Sequence, residues 1–247
     1  MKLERDVAPG VHRIEDSFTN WYLVEDEGKA TIVDACVPSS WESLHRALPE
    51  IGLKLSDLKA LILTHAHFDH IGFAERARTE LGLPVWVHEN DVPLSRQPHR
   101  YGRERSRLRY LATKPKALPI VASFVRERAF WPTPISEVTR FSDGVLDVPG
   151  KPEVVATPGH TLGHVAFNLP GRDTVIAGDA VVTLNPYTGG AGPRIVAGAA
   201  TADSERALGS LAALAALDVG TVLMGHGDPW TAGSRRIAAE ALRAGPS

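Results

Sequence analysis

The 247-residue sequence predicts an α/β protein in which two β-sheets pack together and helices cover their outer faces. Two observations support this prediction. Both halves of the chain run through several short apolar segments and then a helical pattern, so each half supplies strands and a helical cover. The composition, with 43% hydrophobic and 23% charged residues, is typical of a globular chain that buries a substantial core. We predict one domain over residues 1–247.

The first half begins with a predicted β-hairpin, formed by residues 20–24 and 30–35 around a polar loop. Ser39 and Glu42 form an S-x-x-E pattern, which predicts a capping box that opens a helix running to about Glu50. A strand, a helix and another short strand are then predicted at residues 59–63, 73–81 and 84–88.

The second half is again rich in short apolar segments. Asp203 is placed to cap a strongly apolar helix over residues 204–217, and Gly220 is predicted to end that helix. An amphipathic helix over residues 234–243 is the last predicted element. Strands are predicted at residues 153–157, 165–169, 174–177 and 221–224.

The segment at about 90–135 is predicted to be an irregular, basic insertion. It contains several prolines, and between Arg96 and Lys116 only Glu104 opposes a run of arginines and lysines. Two interpretations stay open. The segment is either an electropositive lid over an anionic substrate or a solvated helix face in an inserted loop.

Four metal-binding side chains follow the predicted strand at residues 59–63. His65, His67, Asp69 and His70 lie within six positions of one another. Imidazole and carboxylate are the nitrogen and oxygen ligands that zinc and similar divalent metals prefer. Because such polar groups at the end of a core strand are costly unless they are paired or bind metal, this pattern indicates a metal site.

Three further histidine or aspartate residues follow later predicted strands. His160 comes after Thr-Pro-Gly, Asp179 directly after Gly178, and His226 between two glycines. Small neighbours allow a close approach of the backbone at these strand ends. Each position alone is a weak signal, but together with the first group they form an ordered set of ligand types.

This ordered set resembles that of the metallo-β-lactamase superfamily of hydrolases. The segment T-P-G-H-T-L-G-H at residues 157–164 is also similar to the segment around that family's third histidine. The resemblance extends over roughly residues 20–230 and implies an αββα four-layer sandwich with metals at one edge, between the sheets.

The resemblance also implies two divalent metal ions. We expect zinc, although manganese, iron and cobalt suit the same ligands. A hydroxide that bridges the two metals would attack an ester, thioester or lactone bond of a small molecule. Asp69 is the catalytic candidate, because it would also steer the hydroxide and take up its proton. The implied ligands are His65, His67 and His160 for the first metal, Asp69, His70 and His226 for the second, and Asp179 for both.

Asp179 distinguishes between branches of this family. The enzymes that destroy β-lactams generally lack a bridging aspartate, whereas the glyoxalase II, lactonase and nuclease branches have one. Lactonases often carry a tyrosine three residues later, where this chain has Val182. Tyr187 lies further along the chain and is a candidate substrate-binding residue; its other interpretation is loop packing.

Three alternatives to a small-molecule hydrolase remain open. A metal-dependent phosphodiesterase or nuclease would use the basic insertion, but only Tyr101 and Tyr110 are available there to stack on bases, and the net charge is −2. A persulfide dioxygenase of the same fold would bind one iron through two histidines and one aspartate. A metal-binding module without catalytic activity is the third class.

Further expectations concern partners, location and supporting residues. We expect a small-molecule substrate, no nucleic acid and no membrane; the oligomeric state, including a homodimer, is open. The charged start of the chain and the single Cys36 favour a cytoplasmic protein. We expect residues 90–135 and 183–195 to line the pocket. Near the metals, Asp34 is expected to bond to the ligand loop, and His164 to support a ligand rather than to be an extra ligand. Asp228 is expected either to orient His226 or to cap a turn.

Overall fold

The computed structural model describes residues 1–247 with the exception of the side chain of Leu111. The helices are α1 (Ser40–Glu50), α2 (Ala74–Leu81), α3 (Val92–Arg96), α4 (Arg107–Thr113), α5 (Leu118–Arg126), α6 (Ser204–Leu217) and α7 (Ser234–Ala244). The strands are β1 (Lys2–Ala8), β2 (Val11–Asp16), β3 (Thr19–Asp26), β4 (Lys29–Val33), β5 (Leu58–Ile62), β6 (Val85–His88), β7 (Thr139–Phe141), β8 (Glu153–Ala156), β9 (Val165–Leu169), β10 (Thr174–Gly178), β11 (Val182–Asn185), β12 (Gly190–Arg194) and β13 (Thr221–Met224). They form a seven-stranded sheet in the order β1 to β7, a four-stranded sheet in the order β13-β10-β9-β8, and a hairpin of β11 and β12.

Alternating side chains of β3 show how the first sheet is covered on both faces. Trp21 and Leu23 are buried in a cluster that includes residues of α1 and α2. Tyr22 and Val24 point the other way, into a second cluster that both sheets share. Because successive side chains of a strand point to opposite faces, one strand serves two hydrophobic cores.

The second sheet repeats this arrangement in β10. Ile176 is buried in the cluster between the two sheets, whereas Val175 and Ala177 pack with Leu211 of α6 and Ile237 of α7. Three buried clusters therefore separate helices, sheet, sheet and helices. The predicted αββα four-layer sandwich is confirmed.

The direction of the strands brings the carboxyl ends that precede the predicted ligands to one edge of the sandwich. In the second sheet β10 pairs in parallel with β13, and β8 and β10 are both antiparallel to β9, so β8, β10 and β13 run in the same direction. Backbone bonds join the two sheets at this edge: the Val165 N–H donates to the Thr64 carbonyl at 2.9 Å, and the Asn20 N–H to the Gly225 carbonyl at 2.7 Å.

Helix ends differ in detail from the sequence-based predictions. Helix α1 has the predicted bounds, but Ser39 has helical backbone angles and its side chain makes no capping bond. Asp203 caps α6 as predicted, since its side chain accepts from the Arg206 N–H at 2.9 Å. The prediction that Gly220 ends α6 is wrong, because Asp218 already adopts a left-handed conformation with φ 53°.

The basic insertion is more helical than the sequence indicates, because α3, α4 and α5 lie within it. Proline lies in the first turn of α3 and of α5, where it is tolerated without loss of a helical hydrogen bond. Strands β1 and β2, which precede the predicted hairpin, were missed. Among the described residues, no helix combines the length and the apolar character needed to cross a membrane.

Candidate metal centre

The four predicted ligands of the first group lie directly after β5. His65, His67, Asp69 and His70 are all buried, and the His70 N–H donates to the His67 carbonyl at 2.9 Å. This tight turn replaces the alternation of the strand, so their side chains converge instead of pointing to opposite faces.

The remaining predicted ligands reach the same place from the second sheet. His160 follows β8, Asp179 follows β10 and His226 follows β13, and all three side chains are buried. Ligand atoms within 4.8 Å of one another form three overlapping groups: His65, His67 and His160; His65, His70 and Asp179; Asp69, His70 and His226.

Asp179 lies between the two sides of this centre. Its Oδ2 is 3.4 Å from Nε2 of His160 and 3.3 Å from Nε2 of His226, and its Oδ1 is 3.7 Å from Nε2 of His70. Nε2 of His226 is also 3.4 Å from Oδ2 of Asp69. One carboxylate thus faces histidines that belong to different groups, as a shared ligand requires.

The hydrogen bonding of the buried ligand atoms indicates whether the centre suits a metal ion. Among the described residues, the Nε2 atoms of all five histidines and Oδ1 of Asp179 are buried without a hydrogen-bond partner. Buried polar atoms without partners are rare and destabilising. Nitrogen and carboxylate donors that converge in this way suit zinc or a similar divalent cation, so these residues fit a metal centre. The atoms concerned are those of His65, His67, His70, His160, His226 and Asp179.

The Nδ1 atoms of four of these five histidines face partners outside the centre. Such contacts fix the ring orientation and leave Nε2 pointing towards the metal position. The prediction that Asp34 bonds to the ligand loop is confirmed, because it accepts from the N–H and hydroxyl of Thr64, each at 2.8 Å. The Nδ1 contacts are His65 to Thr64 Oγ1 at 3.0 Å, His70 to Asp34 Oδ2 at 3.0 Å, His160 to Thr201 Oγ1 at 3.3 Å, and His226 to the Phe18 carbonyl at 2.8 Å.

Asp91 supports two ligand loops at once, and sequence reasoning missed it. Its carboxylate accepts from the Ala66 N–H at 3.0 Å, and from the Thr161 hydroxyl and the Gly163 N–H at 2.8 Å each. The signal was available, since Asp91 follows β6, which runs parallel to β5 and so ends at the same edge.

The predicted supporting role of His164 is confirmed, whereas Asp228 does not orient His226. Burial lowers the pKa of His164 to about 3, so its neutral Nε2 accepts from the Asp179 N–H at 3.0 Å. Asp228 is 83% exposed and lies near Arg13. The orienting partner of His226 is the backbone carbonyl of Phe18, which carries no side-chain signature in the sequence.

Burial makes three of the histidines ready ligands. It lowers the pKa of His67 to about 4. Burial and neighbouring imidazoles also hold the pKa values of His65 and His160 well below the ordinary value. Because a metal binds the neutral imidazole, these rings need lose no proton at neutral pH.

The carboxylates have the opposite effect on His226. Burial disfavours its charged form, but Asp179 and Asp69 outweigh burial and raise the pKa of His226 well above its ordinary value. Burial likewise opposes ionisation of Asp179, yet His226 and His70 hold its pKa well below the ordinary value. A cation would take the place of the proton between these groups.

Tyr101 connects the centre to a neighbouring cavity. Its ring centroid is 4.4 Å from that of His67, and its hydroxyl is 3.1 Å from that of Tyr187. Tyr101 also lines a cavity of about 740 Å³ whose wall includes residues of the segment 89–102. Residues 183–184 and 191–193 line a separate cavity of about 450 Å³ beside Gly227.

Comparison with known proteins identifies the class. Residues 14–226 match the family model described as the metallo-beta-lactamase superfamily, and the chain belongs to this family. It is therefore a metal-dependent hydrolase.

Relatives and a solved structure give the same result. The chain is 28% identical over 240 residues to the probable metallo-hydrolase YflN of Bacillus subtilis (strain 168), covering 92% of this chain and 87% of YflN. It is 28% identical over 162 residues to the hydroxyacylglutathione hydrolase GloC of Haemophilus influenzae, covering 64% and 63%. The metallo-beta-lactamase family protein TTHA1429 from Thermus thermophilus superposes with a TM-score of 0.69 at 26% identity, over 96% of this chain and 79% of that one.

Proposed function

We propose that this protein is a dinuclear hydrolase that opens an ester, thioester or lactone bond of a small molecule. The observation that carries the proposal is the set of five buried, unpartnered Nε2 atoms around the carboxylate of Asp179. Two groups of ligand atoms, with Asp179 between them, suit two cations better than one.

The proposed ligands fall into two groups. When bound, a pair of divalent cations would lower the pKa of a water molecule and polarise the electrophilic carbonyl oxygen. Zinc is the proposed metal, and manganese, iron and cobalt have suitable ligand preferences. His65, His67 and His160 would hold the first ion, Asp69, His70 and His226 the second, and Asp179 both.

Asp69 has a second proposed role in the reaction. Its side chain is buried, and Oδ2 lies 3.4 Å from Nε2 of His226. The neighbouring His226 and His70 hold the pKa of Asp69 below its ordinary value, against the effect of burial. An ionised carboxylate at this position would orient the attacking water and accept its proton.

The substrate class rests on two further observations. The similarity to GloC, named a hydroxyacylglutathione hydrolase, supports a thioester. The cavity of about 740 Å³ beside Tyr101 has a size typical of small-molecule sites. The cavity favours a small-molecule substrate, and the similarity to GloC favours the glyoxalase II-like or lactonase-like branch, to which a bridging aspartate also belongs.

The first experiment measures the metal content of the purified protein, with no metal added, by elemental mass spectrometry. We expect about two divalent ions per chain, together with turnover of at least one member of an ester, thioester and lactone panel. About one iron per chain, with oxygen uptake in the presence of a persulfide, would overturn the proposal in favour of a dioxygenase.

A further inference from the structure

The cavity beside the metal centre has a wall that the proposed ligands leave unexplained. Tyr101 and Thr161 line it. The Tyr101 ring packs against that of His67 at 4.4 Å, and Thr161 directly follows His160 in the chain. A molecule in this cavity would therefore lie next to the ligands of the first proposed metal.

Positive charge dominates this wall. Arg96, Arg100 and Arg140 line the cavity together with two carboxylates, Asp91 and Glu89. The carboxylate of Asp91 is buried and already accepts three hydrogen bonds. Only the exposed Glu89 is left to oppose three guanidinium groups. We call this space the arginine-lined cavity.

The guanidinium groups of the cavity lack protein partners in the part of the chain that the structure describes. Among the residues that the structure describes, no ion pair or side-chain hydrogen bond engages those of Arg96, Arg100 and Arg140. Arginines elsewhere on the surface do pair, for example Arg76 with Glu80 at 2.7 Å. Like charges gathered in one cavity repel one another and add nothing to folding stability, which points to a ligand of opposite charge.

Arg107 adds a further guanidinium group at the same tyrosine. It lies 4.4 Å from the ring centroid of Tyr101, and its Nε is buried without a hydrogen-bond partner in the described part of the chain. The guanidinium group of Arg107 therefore packs against the aromatic face of Tyr101, and its Nε–H is left free to donate to a ligand. This strengthens the positive field where the cavity meets His67.

Part of the wall is apolar. Val92, Leu94 and Leu162 line the arginine-lined cavity, and Leu162 is 60% exposed although it follows a buried ligand loop. A cavity with apolar and cationic walls suits a molecule that has a hydrocarbon part and an anionic group.

We propose that the arginine-lined cavity binds the negatively charged part of the substrate, a carboxylate or phosphate group, so that the hydrolysed bond belongs to an anionic ester or thioester. The inference rests on the proposed function and names its substrate class. Guanidinium forks match both anions, because they donate two parallel hydrogen bonds to a pair of oxygens. When the anionic group of a substrate is held here, its ester or thioester group would extend past Tyr101 towards the metal centre.

Binding is the first test, because it does not depend on turnover. Succinate and inorganic phosphate are titrated by calorimetry into the metal-containing protein as purified. The variant R96Q/R100Q/R140Q is compared with wild type and with R46Q/R206Q/R243Q, which removes three exposed arginines outside the cavity. We expect the cavity variant to bind at least about tenfold more weakly and the control to change less than about twofold.

Equal succinate and phosphate affinity in all three proteins would overturn the inference, because those anions would then bind at the metals or elsewhere. Absence of binding to wild type would also overturn it, as would arginine-dependent binding of single-stranded RNA without binding of either small anion. Metal content, measured on each variant, confirms that the centre is retained.

Turnover provides the second test. The glutaryl and pentanoyl thioesters of N-acetylcysteamine have the same leaving group and differ in a terminal carboxylate. We expect wild type to prefer the glutaryl thioester by about tenfold or more in kcat/KM, mostly through KM, and the cavity variant to lose this preference. Hydrolysis of both at equal rates would overturn the inference and leave the proposed function standing. If neither thioester is hydrolysed but succinate binding still depends on the arginines, the anion site would stand and thioester hydrolysis would be overturned.

Discussion

Oδ2 of Asp34 lies 3.0 Å from Nδ1 of His70, and both groups are buried. The same carboxylate accepts from the N–H and the hydroxyl of Thr64, one residue before the first proposed ligand. Asp34 itself has a left-handed backbone with φ 64°. Asp34, which follows β4, therefore orients the imidazole ring of His70, which follows β5. Nε2 of His70 is left facing the proposed metal position.

Replacement of Asp34 tests this orientation. We expect Asp34→Asn to weaken binding of the second metal by about 10–100-fold, because an amide cannot accept all three donors. Asparagine tolerates the left-handed conformation, so the backbone stays as it is. Competition with a chromophoric chelator measures the affinity. Asp218→Asn, at an exposed left-handed residue after α6, is the matched control; an equal loss in both variants would contradict the role of Asp34.

Asp179 is predicted to be indispensable for activity but not for folding. Asp179→Ala removes the carboxylate that faces His160, His70 and His226, and we expect kcat/KM to fall by more than about 100-fold. Circular dichroism is expected to show an intact fold. Asp228→Ala, which removes an exposed aspartate near the same loop, is expected to stay within about twofold of wild type. Near-normal turnover of the Asp179 variant would contradict the proposed mechanism.

Gly225 leaves room for the carboxylate of Asp179. A Cβ at this position would overlap Oδ1 of Asp179 and lie 2.8 Å from Cε1 of His70. We therefore expect Gly225→Ala to displace Asp179 and to lower the metal content of the purified protein below about half of wild type. Elemental mass spectrometry measures this loss.

The control for the previous substitution is Gly209→Ala in α6. A Cβ added at Gly209 meets nothing within 4 Å. Because alanine is a better helix former than glycine, we expect full metal content and a free energy of unfolding higher by about 0.5–1 kcal/mol. Full metal content in both variants would show that the space beside Gly225 is not required.

The stability of the protein is predicted to depend on Glu75 in acid. Hydrogen bonds from Arg78, followed by those from Ser136, lower the pKa of Glu75 from 4.5 to about 2. A carboxyl group with a lowered folded-state pKa stabilises the fold above pH 4.5 and loses this contribution as the pH falls towards 2.

Urea unfolding at several pH values measures this dependence. We expect wild type to lose about 1 kcal/mol more than Glu75→Gln between pH 5 and pH 2.5. Glu80→Gln, on the same helix and with an exposed carboxylate, is expected to follow wild type. Parallel curves for wild type and Glu75→Gln would show that this contact does not link α2 to the chain after the basic insertion.

Much of the centre could be predicted because its signals are local in the sequence. Each proposed ligand lies after a strand that the sequence predicts, as His65 lies after β5 and Asp179 after β10. The partners of these ligands were harder to predict. Thr201 bonds to His160 from 41 positions away, and the Phe18 carbonyl bonds to His226 from 208 positions away. Neither contact leaves a pattern in the residues around it.

The sequence by itself determined the layers and the types of ligand. Alternation in β3 assigns Trp21 and Leu23 to one core and Tyr22 and Val24 to another, because side chains of a strand point to opposite faces. Only the tertiary structure decided which ring nitrogens converge at the proposed metal centre and which arginines share a cavity. Those outcomes depend on distances of about 3 Å between groups that the chain brings together from different loops, and neither periodicity nor residue type specifies such distances.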